Sequence, residues 1–200
     1  MNIVTLDLPP KGEEQRMLIE TTFYYLRHGE TDWNRQRRFQ GQVDNPLNAV
    51  GAEQARAASE QVRNIEIKAI YASPLRRAIE TARYFQTALG CRLDVIDDIK
   101  EATVGVREGT KRGAWCEEWK AGALMPEGAE KYDDFIERAL RGINQALAYP
   151  GPVLIVSHEM VYHALRPYTG LGPDYILPHC RVVRHDPPVV AGQKWQVITL

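Results

Sequence analysis

The chain is poor in cysteine and has no paired cysteine motif. Cys91, Cys116 and Cys180 lie far apart with no CxxC spacing. That argues against a disulfide framework and reads as reduced thiols in a cytoplasmic protein. An excess of either charge is also missing: 25 basic residues face 26 acidic ones, for a net charge of −1. Bulk electrostatics therefore favour neither nucleic acid nor an anionic membrane, and any anion site must be built from a few focused groups. Residues 1–20 contain no continuous apolar run. They carry Pro9-Pro10 and are dominated by charge from Lys11 to Arg16. This stretch reads as an N-terminal extension, neither a signal peptide nor a membrane span. No internal repeat is visible.

What is present fits one ordinary domain. The 200 residues are 44% hydrophobic and 26% charged, which suits a globular chain able to bury a sizeable core. Residues 22–27 are aromatic-rich and read as a first, interior strand; the loop 28–47 holds room for one short helix. Asn48 is placed to cap an alanine-rich helix to about Arg63. Lys68 to Ala72 reads as a strand. Ser73-Pro74 reads as an N-cap with proline at the first helical position, opening a helix that stops at Gly90. Arg92 to Ile96 is a further strand. The glycine-broken segment around 105–130 looks like a lid or small subdomain carrying Trp115 and Trp119. Helical spacing of Phe135, Ile136, Ala139, Leu140, Ile143 and Leu147 predicts a long amphipathic helix. Residues 152–156 form a continuous apolar strand of the buried, parallel kind. Ser157-His158 ends it, a helix through Leu165 follows, and two β-like runs close the chain. Alternating strands and helices predict an α/β three-layer sandwich, with a mostly parallel central sheet flanked by helices. The domain is expected to span residues 21–200.

Two predicted strands end in histidine, at Arg27-His28 and at Ser157-His158. In open α/β sheets ligands bind at that carboxyl edge. A histidine directly after an arginine, on a glycine turn, is well placed to attack phosphorus. Three specified residues at roughly 5% usage would arise by chance in about one chain in forty of this length. The triplet alone is thus suggestive, while Arg27-His28-Gly29-Glu30-Thr31 with Trp33-Asn34 behind it is much rarer. A phosphoryl group needs cations and oriented N–H donors. Arg27 and Arg77 are candidate clamps because guanidinium forks meet phosphate oxygens bidentately, and Asn34 can donate from the opening loop.

Further blocks run Arg38-Phe39-Gln40-Gly41, Asp44-Asn45-Pro46-Leu47, Ala72-Ser73-Pro74-Leu75-Arg76-Arg77-Ala78, Lys100-Glu101 with Gly105 and Glu108-Gly109, and Val153 to His158. In order and spacing the chain resembles the histidine phosphatase superfamily, the phosphoglycerate mutase-like branch, from Phe23 to Leu200. The resemblance implies that His28 attacks phosphorus and forms a phosphohistidine. It implies that Arg27, Asn34, Arg77 and His158 bind the phosphoryl oxygens, with Arg77 rather than Arg76 as the ligand. Glu101 would protonate the leaving alcohol and then activate water, a role for which burial should raise its pKa. No metal or other cofactor is implied, the positive charge being expected from the arginines and His158. Glu130 matches a glutamate that supports the site wall.

Two positions depart from the family pattern. Glu159 stands where glycine is usual, and Arg107 where tryptophan is common, so both are possible specificity residues. Glu159 either recognises a cationic or hydroxyl-rich part of a substrate or is an outward-pointing residue of the first helical turn, favoured by the helix dipole. His163, His179 and His185 match no role and read as ordinary histidines. His158 and His163 cannot form a zinc HExxH pair: at i and i+5 they lie about 140° apart around a helix. Length and the run Ala102-Thr103-Val104 after Glu101 favour a phosphatase over a phosphoglycerate mutase. A non-catalytic phospholigand-binding protein is the remaining rival. The expected partner is a small-molecule phosphate ester, with no nucleic acid and no membrane, and the protein a monomer or homodimer. Lys111, Arg112, Trp115 and Trp119 are the candidates for substrate choice.

Overall fold

In the computed structural model residues 3–4, 18–172, 175–190 and 192–200 are described. Most of the N-terminal extension, residues 1, 2 and 5–17, therefore lies outside the described residues. Its two described pieces, β1 (Ile3–Val4) and β2 (Leu18–Ile19), pair antiparallel. Leu18 is buried in the core, and the Ile19 amide donates to Asn144 Oδ1 at 2.9 Å, so the folded domain begins by Leu18.

The chain continues through β3 (Phe23–Arg27), α1 (Asp32–Arg35), α2 (Ala49–Gln61), β4 (Ala69–Ala72), α3 (Arg76–Leu89) and β5 (Arg92–Val95). After these come α4 (Ala114–Lys120), α5 (Tyr132–Leu147), β6 (Val153–Ser157), α6 (Glu159–His163), β7 (Val182–Asp186) and β8 (Gln196–Thr199). Six strands form one sheet in the order β5-β4-β6-β3-β7-β8. The first four run parallel, whereas β7 pairs antiparallel with β3 and β8 antiparallel with β7. The sheet is thus mostly parallel, as expected, with an antiparallel pair of strands at one edge. The terminal runs carried no helix between them and could join as a hairpin, which requires antiparallel pairing.

Period-two alternation sends side chains to both faces. Tyr24, Leu26, Ile70, Leu154 and Val156 meet Ala55, Ala78 and Phe85 of α2 and α3 on one side. Phe23, Tyr25, Val153 and Ile155 meet α5 and its neighbours on the other. This second core takes in Trp119 and Cys116 of α4, so the segment around 105–130 is packed into the domain rather than standing over it as a separate lid. Among the described residues no helix is long and apolar enough to cross a membrane.

Local signals explain some of the element ends. Asn48 Oδ1 accepts from the Gly51 amide at 2.8 Å and caps α2, and Gly90 ends α3 in a left-handed conformation with φ 66°. The start of α3 differs from expectation. Its first helical residue is Arg76, and Ser73 makes no cap; Asp44 Oδ1 instead accepts from the Arg76 amide at 2.6 Å. The Ser73 hydroxyl is engaged elsewhere.

Candidate active site

Parallel pairing of β3 with β6 sets Arg27 opposite Ser157, so the next residues, His28 and His158, sit side by side at the carboxyl edge. The His28 amide donates to Ser157 O at 3.0 Å, and the two rings are 5.2 Å apart between centroids. Close backbone approach holds the turn. A Cβ on Gly29 would strike the Gly51 carbonyl, so only glycine lets this loop lie on the first turn of α2.

His28 is almost fully buried. Its Nδ1 donates to Gly29 O at 2.7 Å, which leaves Nε2 unprotonated, and Arg77 Nε donates to that atom at 3.3 Å. Burial and then the Arg77 charge push its pKa well below the usual imidazole value, so the ring is neutral at neutral pH. Arg77 is itself buried; its other two nitrogens donate to Val43 O and Gly41 O at 2.9 and 2.8 Å. Burial lowers its pKa to about 10, so it stays charged.

His158 Nε2 shares a 2.7 Å hydrogen bond with Ser73 Oγ, while Nδ1 is buried without a protein partner. Burial and the nearby Arg77 and Arg27 push its pKa well below the usual range. With no anion in the site, the neutral form of His158 is thus favoured, and the charge there comes from the arginines.

Glu101 closes the same space. Its Oε1 accepts from the Ala102 amide at 3.1 Å and its Oε2 from the Met160 amide at 3.4 Å. Burial raises its pKa against the opposing pull of Arg77. Asn34 caps the short opening turn: its Oδ1 accepts from the Thr31 amide, leaving the amide nitrogen as the donor on the cavity side.

Glu159 does not point outward. It is buried, and its two oxygens take a bidentate pair from Arg112 at 2.9 and 3.2 Å. Oε2 also meets Arg27 Nη1 at 2.9 Å. Burial would raise its pKa, but the two guanidiniums override this and hold it at about 2. The outward-facing reading of Glu159 is thus overturned: two cations can make an internal carboxylate more favourable than a solvated one. Arg107 stacks over Trp115 at 5.7 Å and does not line the cavity beside Arg27 and Asn34.

Two positions had no functional reading. His179 donates from Nδ1 to His28 O at 2.8 Å and lines the cavity beside it, so it is not an ordinary surface histidine. Arg138 forms a bidentate pair with Glu130 and donates to the carbonyls of Asp98, Lys100 and Glu101 at 2.8 to 3.0 Å. It thereby fixes the loop after β5 that presents Glu101. Only the helical phase of Arg138, three residues after Phe135 and four before the buried Gly142 on α5, could have hinted at it. His163 and His185 are buried structural residues, the latter stacked on Phe23 at 4.5 Å.

Comparison with known proteins fits this geometry. Residues 23–178 match the family model of the histidine phosphatase superfamily (branch 1). An uncharacterized phosphatase, PhoE, of Bacillus subtilis (strain 168) is 38% identical over 148 residues, covering 72% of this chain and 75% of that protein. A probable phosphoglycerate mutase, GpmB, of Proteus mirabilis (strain HI4320) is 38% identical over 183 residues, covering 82% and 83%. The crystal structure of a phosphoglycerate mutase from Thermus thermophilus superposes with TM-score 0.71 at 27% identity, covering 90% of this chain and 98% of that one. A mycobacterial glucosyl-3-phosphoglycerate phosphatase shares the fold, with TM-score 0.74 at 24% identity over 88% and 96%. The sequence blocks at the sheet edge, the neutral histidine they place there and a family match over most of the chain agree, and the chain belongs to the histidine phosphatase superfamily, branch 1.

Proposed function

We propose that the protein is a phosphomonoesterase that hydrolyses a small phosphorylated metabolite through a covalent intermediate on His28, without need of a metal. The observation that carries this reading is the state of His28: Nδ1 is tied to a carbonyl, and Nε2 keeps its lone pair beside the Arg77 guanidinium. That is a nucleophile already in the right tautomer, next to the charge that a phosphoryl group requires.

In the first step Nε2 forms a bond to phosphorus as the ester P–O bond breaks. Glu101, protonated through burial, gives its proton to the leaving alcohol. Arg27 and Arg77 carry the charge on the phosphoryl oxygens, while Asn34 and the neutral His158 add hydrogen bonds. In the second step Glu101, now a carboxylate, takes a proton from water as the water oxygen attacks phosphorus. The P–N bond breaks, and inorganic phosphate leaves. The fixed arginine charges stand where a metal ion would otherwise be needed, which supports metal independence.

A mutase reading draws on the similarity to GpmB. Against it, Ala102 and Val104 are buried in the core, and Thr103 is occupied by Glu130 and Glu108, so this run after Glu101 offers nothing to the cavity. With 3-phosphoglycerate, hydrolysis yields free phosphate and mutase activity yields isomer. The deciding experiment measures p-nitrophenyl phosphate turnover in EDTA for wild type and His28→Ala. The variant is expected to lose at least about a thousandfold in kcat, together with an acid-labile phosphoenzyme. Wild-type turnover in the variant would refute the mechanism, and an inactive wild type that binds phosphate would favour a phospholigand-binding protein.

A further inference from the structure

The block Glu108-Gly109 takes no part in the two steps above, yet Glu108 touches the supports of two groups that do. Its backbone is fixed on either side. The Glu108 amide donates to Gly105 O at 2.9 Å, and the Gly109 amide donates to Phe39 O at 2.8 Å. Gly109 holds φ 79°, a left-handed conformation, beside the Trp33 ring.

From there the carboxylate reaches two loops at once. A single oxygen, Oε1, accepts from the Gln42 amide at 3.0 Å and from Thr103 Oγ1 at 2.9 Å. Gln42 lies between the two carbonyls that hold Arg77, those of Gly41 and Val43. Thr103 lies two residues after Glu101. The Gln42 side chain adds a further tie, its Nε2 donating to Glu101 O at 3.1 Å. Gly41 is left-handed at φ 53°, and a Cβ there would strike the Glu108 carboxylate, so this close approach requires glycine.

Arg77 makes no ion pair with a carboxylate among the described residues; its guanidinium bonds go to the two loop carbonyls and to His28 Nε2. A buried guanidinium held in this way is only as well placed as the loop that bears its carbonyls. Burial lowers its pKa, and Glu101, Asp44 and Glu108 are the carboxylates that oppose this. An unbroken series of contacts therefore runs from the loop of the proton donor, through one oxygen of Glu108, to the clamp and the nucleophile. We infer that Glu108 is a positioning residue, which sets the separation between the proton donor Glu101 and the clamp Arg77. It touches no substrate and exchanges no proton. This inference rests on the phosphatase reading and deepens it. Arg77 must meet the oxygens of the same phosphorus whose leaving oxygen Glu101 protonates, so a misplacement of about 1 Å between them is felt in rate.

The test follows Glu108→Ala and Glu108→Gln with p-nitrophenyl phosphate and phenyl phosphate, the second having the more basic leaving group. Glu108→Ala is expected to lose at least about tenfold in kcat/KM for p-nitrophenyl phosphate, and several-fold more for phenyl phosphate, which depends more on the proton from Glu101. Inorganic phosphate should inhibit this variant several-fold less well, because the carbonyls under Arg77 are loosened. Glu108→Gln keeps an acceptor oxygen at the same reach and should restore most of all three. Equal losses for the two esters with phosphate inhibition unchanged would overturn the proposal and leave Glu108 a support of the fold alone. A Glu108→Gln enzyme as impaired as Glu108→Ala would overturn it too, because charge rather than the shared acceptor would then be at work. Should Glu108→Ala fold poorly, Thr103→Val removes only the bond on the side of Glu101. It should keep phosphate inhibition and lose more on phenyl phosphate than on p-nitrophenyl phosphate, and a uniform loss would refute the proposal. A wild type that turns over neither ester would count against the phosphatase reading alone; calorimetric binding of inorganic phosphate to wild type and Glu108→Ala would still read the hold on Arg77.

Discussion

His28 and His158 sit just past strand ends, Arg77 in the first turn of α3 and Glu101 on the loop after β5, all out of solvent, and each is held by a backbone group or a neighbouring hydroxyl. Arg35, Arg37 and Lys111 line the neighbouring cavity on exposed chain, with no carboxylate partner among the described residues. The inner charges work where water is excluded, so they are strong, oriented in advance and unable to rearrange. The outer ones are adjustable and weak individually, and act through their sum. On the proposed reading, chemistry belongs to the buried edge of the sheet, and the exposed loops can change without disturbing it. Arg112 and Glu159 connect the two regions, because one carboxylate meets a cation of that cavity on one side and the phosphate clamp Arg27 on the other.

The inner region should break most sharply, beyond loss of its reacting groups, at Arg138. Arg138→Met releases the carbonyls of Asp98, Lys100 and Glu101 and leaves Glu130 without its cation. Glu101 would then shift against the leaving oxygen. A displacement of about 1 Å at a proton donor costs on the order of a hundredfold in rate. The expected result is kcat for p-nitrophenyl phosphate down about a hundredfold with KM changed little, because Arg27 and Arg77 are untouched. Adding Glu130→Gln removes the orphaned carboxylate and should recover thermal stability without recovering kcat. Full recovery of both would mean that Arg138 only supports the fold.

The junction should respond less strongly, and mainly in stability. Glu159→Gln leaves Arg27 buried beside no anion. Breaking a buried pair by removing one partner costs roughly 3 to 5 kcal/mol, reduced here because Arg112 is part-exposed. The variant should melt at a lower temperature, and inorganic phosphate should restore more of the loss than it adds to wild type, since phosphate takes the place of the carboxylate. The pH dependence follows in sign. A carboxyl whose folded pKa is about 2, below its ordinary value near 4.5, stabilises the fold above pH 4.5. That contribution is lost as pH falls from there toward 2, and is worth at most about 3 kcal/mol at 1.36 kcal/mol per unit. Glu159→Gln should flatten that part of the acid stability curve; an unaltered slope would show that the pair contributes nothing.

How much of this was legible in sequence depended on the range of the interaction. Apolar runs announced β3, β4 and β6, and the histidines at two strand ends announced the site, because period and position are local facts. Asn48 and Gly90 marked helix ends for the same reason. Ser73 misled: its place before proline reads as a cap, but the helix starts only at Arg76, and the hydroxyl is shared between the Leu75 amide and His158, 85 positions away. Arg138 looked like one more charged helix residue, although it clamps a loop some forty residues earlier. His179 carries no local signal either, since only the pairing of Arg27 with the 177–180 segment brings it to His28. The antiparallel β7 lay hidden because an apolar strand does not reveal its direction.

The smallest expected effect separates the two regions without any substitution. At 0.05 M salt the Debye length is about 14 Å, and at 0.5 M about 4 Å, so exposed charges are screened across that range while buried ones are barely affected. For 3-phosphoglycerate, which carries a second anionic group, KM should rise several-fold between these salt concentrations, with kcat nearly constant, because only the exposed charges feel the ions. For p-nitrophenyl phosphate, which has no group to reach Arg35, Arg37 or Lys111, KM should rise less. The Arg35→Gln/Arg37→Gln/Lys111→Gln variant should bring the two salt dependences together. If kcat fell with salt as steeply as KM rose, the inner charges would be open to solvent in the working enzyme, and the contrast drawn from their burial would not survive turnover.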